Sequence, residues 1–274
     1  MSPSPFHLMD RREALRMLSA GVLAARITPA EDSLHFSALD HLEFFVSDIQ
    51  KSLGVYTRVF GNAVWKNNRT ARRYLKLGST YIALEQGPDP HLDHFCAGIE
   101  GFQVADAHSY LAAKNVAYRD YPSGRDLYVA DSDGNRLQIG ADNSWTSLST
   151  STASPESTPM NGDPIFRPLG LDHILLNVSD PEEAAAFYEK VLGPVSQRID
   201  NRIWFQAGKS RIGLVRVPAG QKPGLNRFCV NASPFDYDTA ARLLQTAGIK
   251  LETPEVAGSP QFRDPDGFLI QVIR

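Results

Sequence analysis

Polar and apolar positions alternate in a way that changes period along the chain. Leu39 to Val46 is a short apolar run rich in β-favouring residues and reads as a strand. Ile49, Leu53, Tyr56 and Phe60 then recur at the spacing of one helix face, with Asp48 where an N-cap belongs and Gly61 where the helix can end. Three short runs follow, around Ala63–Lys66, Arg72–Leu77 and Thr80–Glu85, and each reads as a strand. The pattern then restarts. Leu92–Ile99 reads as a strand, Ala105–Lys114 as a helix, and Val116–Asp120, Leu127–Ala130 and Asn135–Ile139 as strands. The order is βαβββ, twice.

The same order returns in the second half of the chain. Leu39-Asp40-His41 reappears as Leu171-Asp172-His173, and Val46-Ser47-Asp48 as Val178-Ser179-Asp180, at an offset of 132. Tyr56 matches Tyr188. Further on, Leu92-Asp93-His94-Phe95-Cys96 matches Leu225-Asn226-Arg227-Phe228-Cys229, Asp131-Ser132-Asp133-Gly134 matches Asp264-Pro265-Asp266-Gly267, and Gln138 matches Gln271, at an offset of 133. One register held over so long a stretch is the mark of a duplicated unit. Asp180 caps the second long helix, Pro181 takes its first position, and Glu182-Glu183 suit its positive end. The copies span residues 37–143 and 168–274. The Ser-, Thr- and Pro-rich residues 144–167 between them read as a flexible linker.

Composition narrows the class. The 274 residues are 42% hydrophobic and 22% charged, with a net charge of −3, the balance of a soluble globular protein with no basic face for nucleic acid. Only two cysteines occur, Cys96 and Cys229, at matching positions of the repeat, which excludes a disulfide scaffold and a Cys-rich zinc site. Residues 1–36 differ from the rest. Arg11-Arg12 precede an apolar stretch, Ala14 to Ala25, too short to span a bilayer. This segment resembles a twin-arginine signal, which implies a periplasmic or secreted protein; a plain amphipathic N-terminal helix implies a cytoplasmic one. No other segment reads as membrane-spanning.

The paired βαβββ modules, the Asp-x-Asp-Gly turn before the last strand and the histidines on the first strands resemble the vicinal-oxygen-chelate superfamily, which includes glyoxalases, bleomycin-resistance proteins and extradiol dioxygenases. The resemblance implies an α+β fold of tandem glyoxalase-like domains, each made of two βαβββ modules forming a half-open barrel. It also implies a metal held by side chains of the first and last strands. In the first copy the matching positions are His41, His94 and Gln138, with Glu85 as a possible fourth ligand and Tyr128 as a residue contacting substrate. Glu43 shares a strand face with His41 and is a candidate for substrate binding or for supplying negative charge. Gln138 stands where the extradiol branch has Glu. The cation implied is divalent, Fe(II) by preference or Mn, Zn or Ni.

The second copy has His173, Arg227 and Gln271 at the matching positions. Arginine cannot ligate a metal, so this copy is expected to lack one. All three residues are candidates for substrate binding, with Arg227 either holding a substrate carboxylate as a bidentate partner or forming a salt bridge that replaces the metal as the barrel's internal tie. Three functions stay open. One is a metalloenzyme acting on a small molecule with vicinal oxygens, of extradiol-dioxygenase type or of glyoxalase lyase or isomerase type. Another is a metal-free small-molecule binder of the bleomycin-resistance type. The third is a structural or interaction protein with plugged barrels. Two fused copies supply the pairing that single-domain relatives obtain by dimerising, so a monomer is expected.

Overall fold

The first copy contains β1 (Phe36–Val46), α1 (Ile49–Phe60), β2 (Val64–Asn67), β3 (Arg73–Leu77) and β4 (Thr80–Gln86), then β5 (His91–Ile99), α2 (Val104–Ala113), β6 (Arg119–Asp120), β7 (Leu127–Ala130) and β8 (Arg136–Ala141). Next come the short helix α3 (Ser144–Ser147), a π-turn over Leu148–Thr152 and β9 (Ala153–Glu156). The second copy contains β10 (Pro168–Val178), α4 (Pro181–Leu192), β11 (Val195–Ile199), β12 (Arg202–Ala207) and β13 (Ser210–Arg216), then β14 (Gly224–Ala232), α5 (Tyr237–Thr246), β15 (Leu251–Glu252), β16 (Gln261–Arg263) and β17 (Leu269–Ile273). The computed structural model describes residues 34–157 and 162–274. The candidate targeting residues fall within 1–33 and lie outside the described residues. The described residues belong to the compact unit Asp32–Arg274.

The caps form as the sequence implies. Asp48 accepts hydrogen bonds from the amides of Gln50 and Lys51, and Asp180 from those of Glu182 and Glu183. Each copy makes one open sheet, ordered β6-β7-β8-β5-β1-β4-β3-β2-β9 in the first and β11-β12-β13-β10-β14-β17-β16-β15 in the second. In each, the first strands of the two modules pair antiparallel at the centre, β1 with β5 and β10 with β14.

The segment between the copies departs from the linker reading. Ser144–Ser147 is helical, and β9 pairs antiparallel with β2, so Ala153–Glu156 extends the first sheet. Its Ser and Thr content does not prevent this. Trp145 and Ala153 are buried against Tyr74, Tyr81 and Ala83, and that apolar contact holds the segment down.

Leu42, Phe44 and Val46 of β1 and Ile174, Leu176 and Val178 of β10 point into one continuous apolar core shared by both copies. Phe44 packs on Phe228 and Phe268, with ring centroids 5.6 and 4.8 Å apart. The alternate residues, His41 and Glu43, face the other way.

Reciprocal polar bonds lock the copies. In each Asp-x-Asp-Gly turn one oxygen of the first Asp is occupied by backbone amides: Asp131 Oδ1 by Asp133 and Asn135, Asp264 Oδ1 by Asp266 and Phe268. The second oxygen accepts a hydrogen bond from a helix tyrosine of the other copy, Tyr188 to Asp131 at 3.2 Å and Tyr56 to Asp264 at 2.9 Å. The second turn Asp repeats the exchange. Ser47 donates its amide to Asp266, and Ser179 donates to Asp133. The β3–β4 and β12–β13 turns dock the same way, Ser79 N on Leu169 O and Lys209 N on Ser37 O. Gly78 and Gly208 permit this, because a Cβ at either would lie about 2 Å from the partner backbone.

All four side chains of the tyrosine–aspartate pairs are buried. Tyr56→Phe and Tyr188→Phe each remove a buried hydrogen bond; Asp264 Oδ2 loses its tyrosine donor, whereas Asp131 Oδ2 keeps a bond from Asn135 Nδ2 at 2.8 Å. Each is expected to lower unfolding free energy by about 1–3 kcal/mol in urea titrations, with both copies still unfolding in one transition.

Candidate metal centre

Strand register gathers the first-copy residues on the concave face. His41 lies opposite Tyr81 on one side and Cys96 on the other. Glu43 lies opposite Ala83 and His94, and Gln138 is flanked by Cys96 and Tyr128.

Neighbouring residues of a regular strand point to opposite faces, so an Asp next to a His should not reach it. The sheet solves this with bulges. Register slips by one residue at Asp40 in β1, at Asp93 in β5, at Asp172 in β10 and at Asn226 in β14, leaving each as the extra residue. In the three Asp-His pairs the carboxylate then turns onto the Nδ1 of the next residue. Asp40 Oδ2 is 2.8 Å from His41 Nδ1, Asp93 Oδ2 is 2.7 Å from His94 Nδ1, and Asp172 Oδ2 is 2.6 Å from His173 Nδ1. Burial works against charge on Asp40 and Asp93. Bonds from the histidines, with Ser144 on Asp40 and Arg136 beside Asp93, outweigh it and hold both below the usual carboxylate range. Burial pushes the His94 imidazole down, against the pull of Asp93, and so favours its neutral form.

The consequence is chemical. An Nδ1 that donates to a carboxylate leaves Nε2 of a neutral imidazole as a lone pair. His41 Nε2 and His94 Nε2 face each other at 3.3 Å, both side chains buried. Held this close, the two nitrogens need a positive charge between them, a proton shared in an N–H···N bond or a metal cation. Two imidazole nitrogens bonded at about 2.0–2.1 Å to one ion span this separation with room to spare. Carboxylate partners on Nδ1 are also what metal-bound imidazoles ordinarily have. The donor set therefore fits a divalent metal.

The other candidates take distinct places. Glu43 Oε2 lies 4.0 Å from His94 Nε2, while its Oε1 accepts from Arg72 at 2.8 Å. Glu85 sits on β4, opposite Phe45 of β1, and is bound by the same Arg72. Glu43, Asp93 and His94 place one ligand atom each within 4.8 Å of one another, a grouping Glu85 does not join. Gln138 lines the same cleft as the histidines and hydrogen-bonds Asp126. Tyr128 packs edge-on against His94, centroids 5.3 Å apart, and is not among the residues lining the cleft, where Tyr121 is. Tyr81 stacks on His41 at 4.6 Å.

Over these residues opens a cleft of about 630 Å³, walled by Tyr74, Tyr81, Phe102 and Tyr121 with Arg125 and Asp126 at its side. Burial raises the carboxyl of Asp126 above its ordinary range, although His41 and Gln138 pull the other way. Three acidic residues of this site escaped the sequence reading. Asp40 and Asp93 were signalled by the Asp-His dipeptide on successive first strands. Asp126, in the loop before β7, carried no spacing signal.

In the second copy His173, Arg227 and Gln271 occupy the matching face. Arg227 is buried and paired with Glu255 at 3.0 Å.

Residues 170–272 match the family model described as Glyoxalase/Bleomycin resistance protein/Dioxygenase superfamily. The described residues have the α+β fold of vicinal-oxygen-chelate proteins, with two open sheets of βαβββ modules. It superposes on the 2,3-dioxygenase LapB from Pseudomonas sp. KL28 with a TM-score of 0.67, covering 87% of this chain and 92% of that one at 16% identity. The Mn(II)-bound glyoxalase from Novosphingobium aromaticivorans gives 0.65, covering 87% and 82% at 15% identity. A lactoylglutathione lyase of Schizosaccharomyces pombe is 26% identical over 201 residues. That match covers 60% of this chain and 62% of the lyase, so the chain spans under two thirds of this relative's length.

Asp40→Asn and Asp93→Asn remove the charge that orients each imidazole. Each is expected to weaken uptake of Zn(II) or Mn(II) by about 10–100-fold in competition with a chelator, while circular dichroism stays unchanged.

Proposed function

We propose that the first copy is a metal-dependent enzyme site acting on a small molecule with neighbouring oxygen atoms. His41 and His94 hold the metal, and Glu43 and Gln138 complete its shell. The convergence of two Nε2 atoms, each with Nδ1 committed to a carboxylate, carries this reading. Glu43 supplies the negative charge that Gln138 lacks.

When bound, a divalent metal there supplies Lewis-acid polarisation to substrate oxygens. The protein's own side chains do the rest. Tyr74, Tyr81 and Tyr121 enclose the substrate and exclude water, and Arg125 offers charge to an anionic group. The Asp126 carboxylate, made more basic by burial, accepts a proton from the substrate carbon or hydroxyl. Such proton transfer is chemistry of the lyase or isomerase kind. Similarity to a lactoylglutathione lyase and to an Mn(II)-bound glyoxalase supports it. A second reading, ring-cleaving oxygenation with Fe(II), draws support from the paired histidines and from the fold shared with 2,3-dioxygenases.

Metal analysis of untagged protein is expected to find one divalent ion per chain, lost in His41→Ala and His94→Ala and kept in His173→Ala. Gln138→Glu is expected to tighten metal binding by about tenfold or more, because a charged ligand replaces a neutral one. A preparation that binds none of Fe(II), Mn(II), Zn(II) or Ni(II), and gains no thermal stability from them, overturns the reading in favour of a metal-free binder. Turnover of a glutathione hemithioacetal against turnover of a catechol separates the two chemistries. Loss of activity in Asp126→Asn with metal content intact assigns the base.

A further inference from the structure

The faces that carry His41 and His173 share one strand register and differ in charge. Register gives the correspondences. Leu175 lies opposite Gly213 as Glu43 lies opposite Ala83, and Val215 pairs with Asn177 as Glu85 pairs with Phe45. Ser259 accepts from the Gln271 amide, as Asp126 is hydrogen-bonded by Gln138. Three acids of the first copy are thus replaced by Leu175, Val215 and Ser259. Meanwhile His94 has become Arg227, and Arg72 is kept as Arg202, which opens β12 as Arg72 leads into β3.

Two guanidiniums therefore share one carboxylate. Glu255 is 2.7 Å from Arg202 through Oε2 and 3.0 Å from Arg227 through Oε1. Arg211 has its own partner in Asp172 at 3.2 Å. One positive charge is left unbalanced on a face where Arg227 is only 4% exposed at its side chain. An uncompensated buried cation is costly. Polar atoms without partners concentrate here as well. Among the described residues, six buried side-chain nitrogens and oxygens lack a hydrogen-bond partner, and five of them are His173 Nε2, Arg202 Nε, Arg227 Nε, Gln261 Nε2 and Gln271 Oε1. Trp204 covers Gly213 and meets His173 edge-on at 5.3 Å, giving the face an apolar wall.

We propose that this face of the second copy is a binding site for a small carboxylate, held between Arg202 and Arg227, with Glu255 as the tethered occupant that the ligand displaces. Glu255 marks the site because it presents a carboxylate to both arginines. Its side chain is 40% exposed, on the loop between β15 and β16, so it can leave for solvent without unpacking the core. The site does not depend on the metal centre of the first copy.

Isothermal titration of the full chain with acetate, lactate and inorganic phosphate at fixed ionic strength tests this. Wild type is expected to bind the carboxylates weakly, and Glu255→Gln at least about tenfold more tightly because the internal competitor is gone. Adding Arg202→Gln or Arg227→Gln to Glu255→Gln is expected to reverse the gain, Arg202 being the partly exposed residue whose replacement spares the core. The gain produced by Glu255→Gln is expected to be the same with and without His41→Ala, which separates this site from the metal centre. A folded Glu255→Gln protein that gains no affinity for acetate or lactate overturns the proposal and makes Glu255 a structural ion pair. A gain that survives loss of both arginines, or one confined to phosphate, overturns it too.

Discussion

The buried hydrogen bond from a helix tyrosine of one copy to the turn aspartate of the other is the constraint on which the architecture rests. It occurs twice, as Tyr56–Asp264 and Tyr188–Asp131. Because one oxygen of each aspartate already fixes its own turn, the bond ties the geometry of the last hairpin to the position of the opposite helix. Burial raises the carboxyls of Asp131 and Asp264 even though these bonds oppose it. A partner lost here removes a buried hydrogen bond, and at Asp264 it takes away the tyrosine donor of a buried carboxylate oxygen. The lock turns the faces bearing Phe44 and Phe228 toward each other and the faces bearing His41 and His173 outward. The two copies thus share one core, and the first keeps an open cleft over His41 and His94.

A second device, the β-bulge, shapes what those surfaces do. A strand of period two cannot present an Asp and the following His to each other. By adding one residue at Asp40, Asp93 and Asp172, the sheet places a carboxylate on Nδ1 and leaves Nε2 aimed inward. In the fourth such position the residues are Asn226 and Arg227. The bulge survives there, but the charge and the donor chemistry are inverted. The repeat preserves the backbone while its side chains diverge, so one copy pairs two imidazoles where the other pairs two guanidiniums on one carboxylate.

The fold and much of the first site were legible from the chain alone. Period-two and helical spacing gave the βαβββ order because each element buries one face. The offsets of 132 and 133 exposed the duplication because the matched residues, Tyr56, Ser47, Asp131 and their partners, are the ones that lock the copies. His41, His94 and Gln138 were picked out by the resemblance to vicinal-oxygen-chelate proteins, and strand period added only that His41 and Glu43 share a face. Asp126 and Glu255 were not, since loop residues reach their partners by chain path rather than by period. The Ser- and Thr-rich segment after Asn143 read as linker because composition cannot report that Trp145 and Ala153 would find an apolar surface on which to pack.

The sequence by itself determined the element order, the repeat and the residue types on each strand face, because these depend on local period and on matching positions. Only the tertiary structure decided which acids stand on which imidazoles, that Arg72 joins Glu43 to Glu85, and that Arg202 and Arg227 share a single carboxylate. Those contacts depend on bulges, loop paths and the reciprocal lock between copies, which bring together residues far apart in the chain with no periodic signal to announce them.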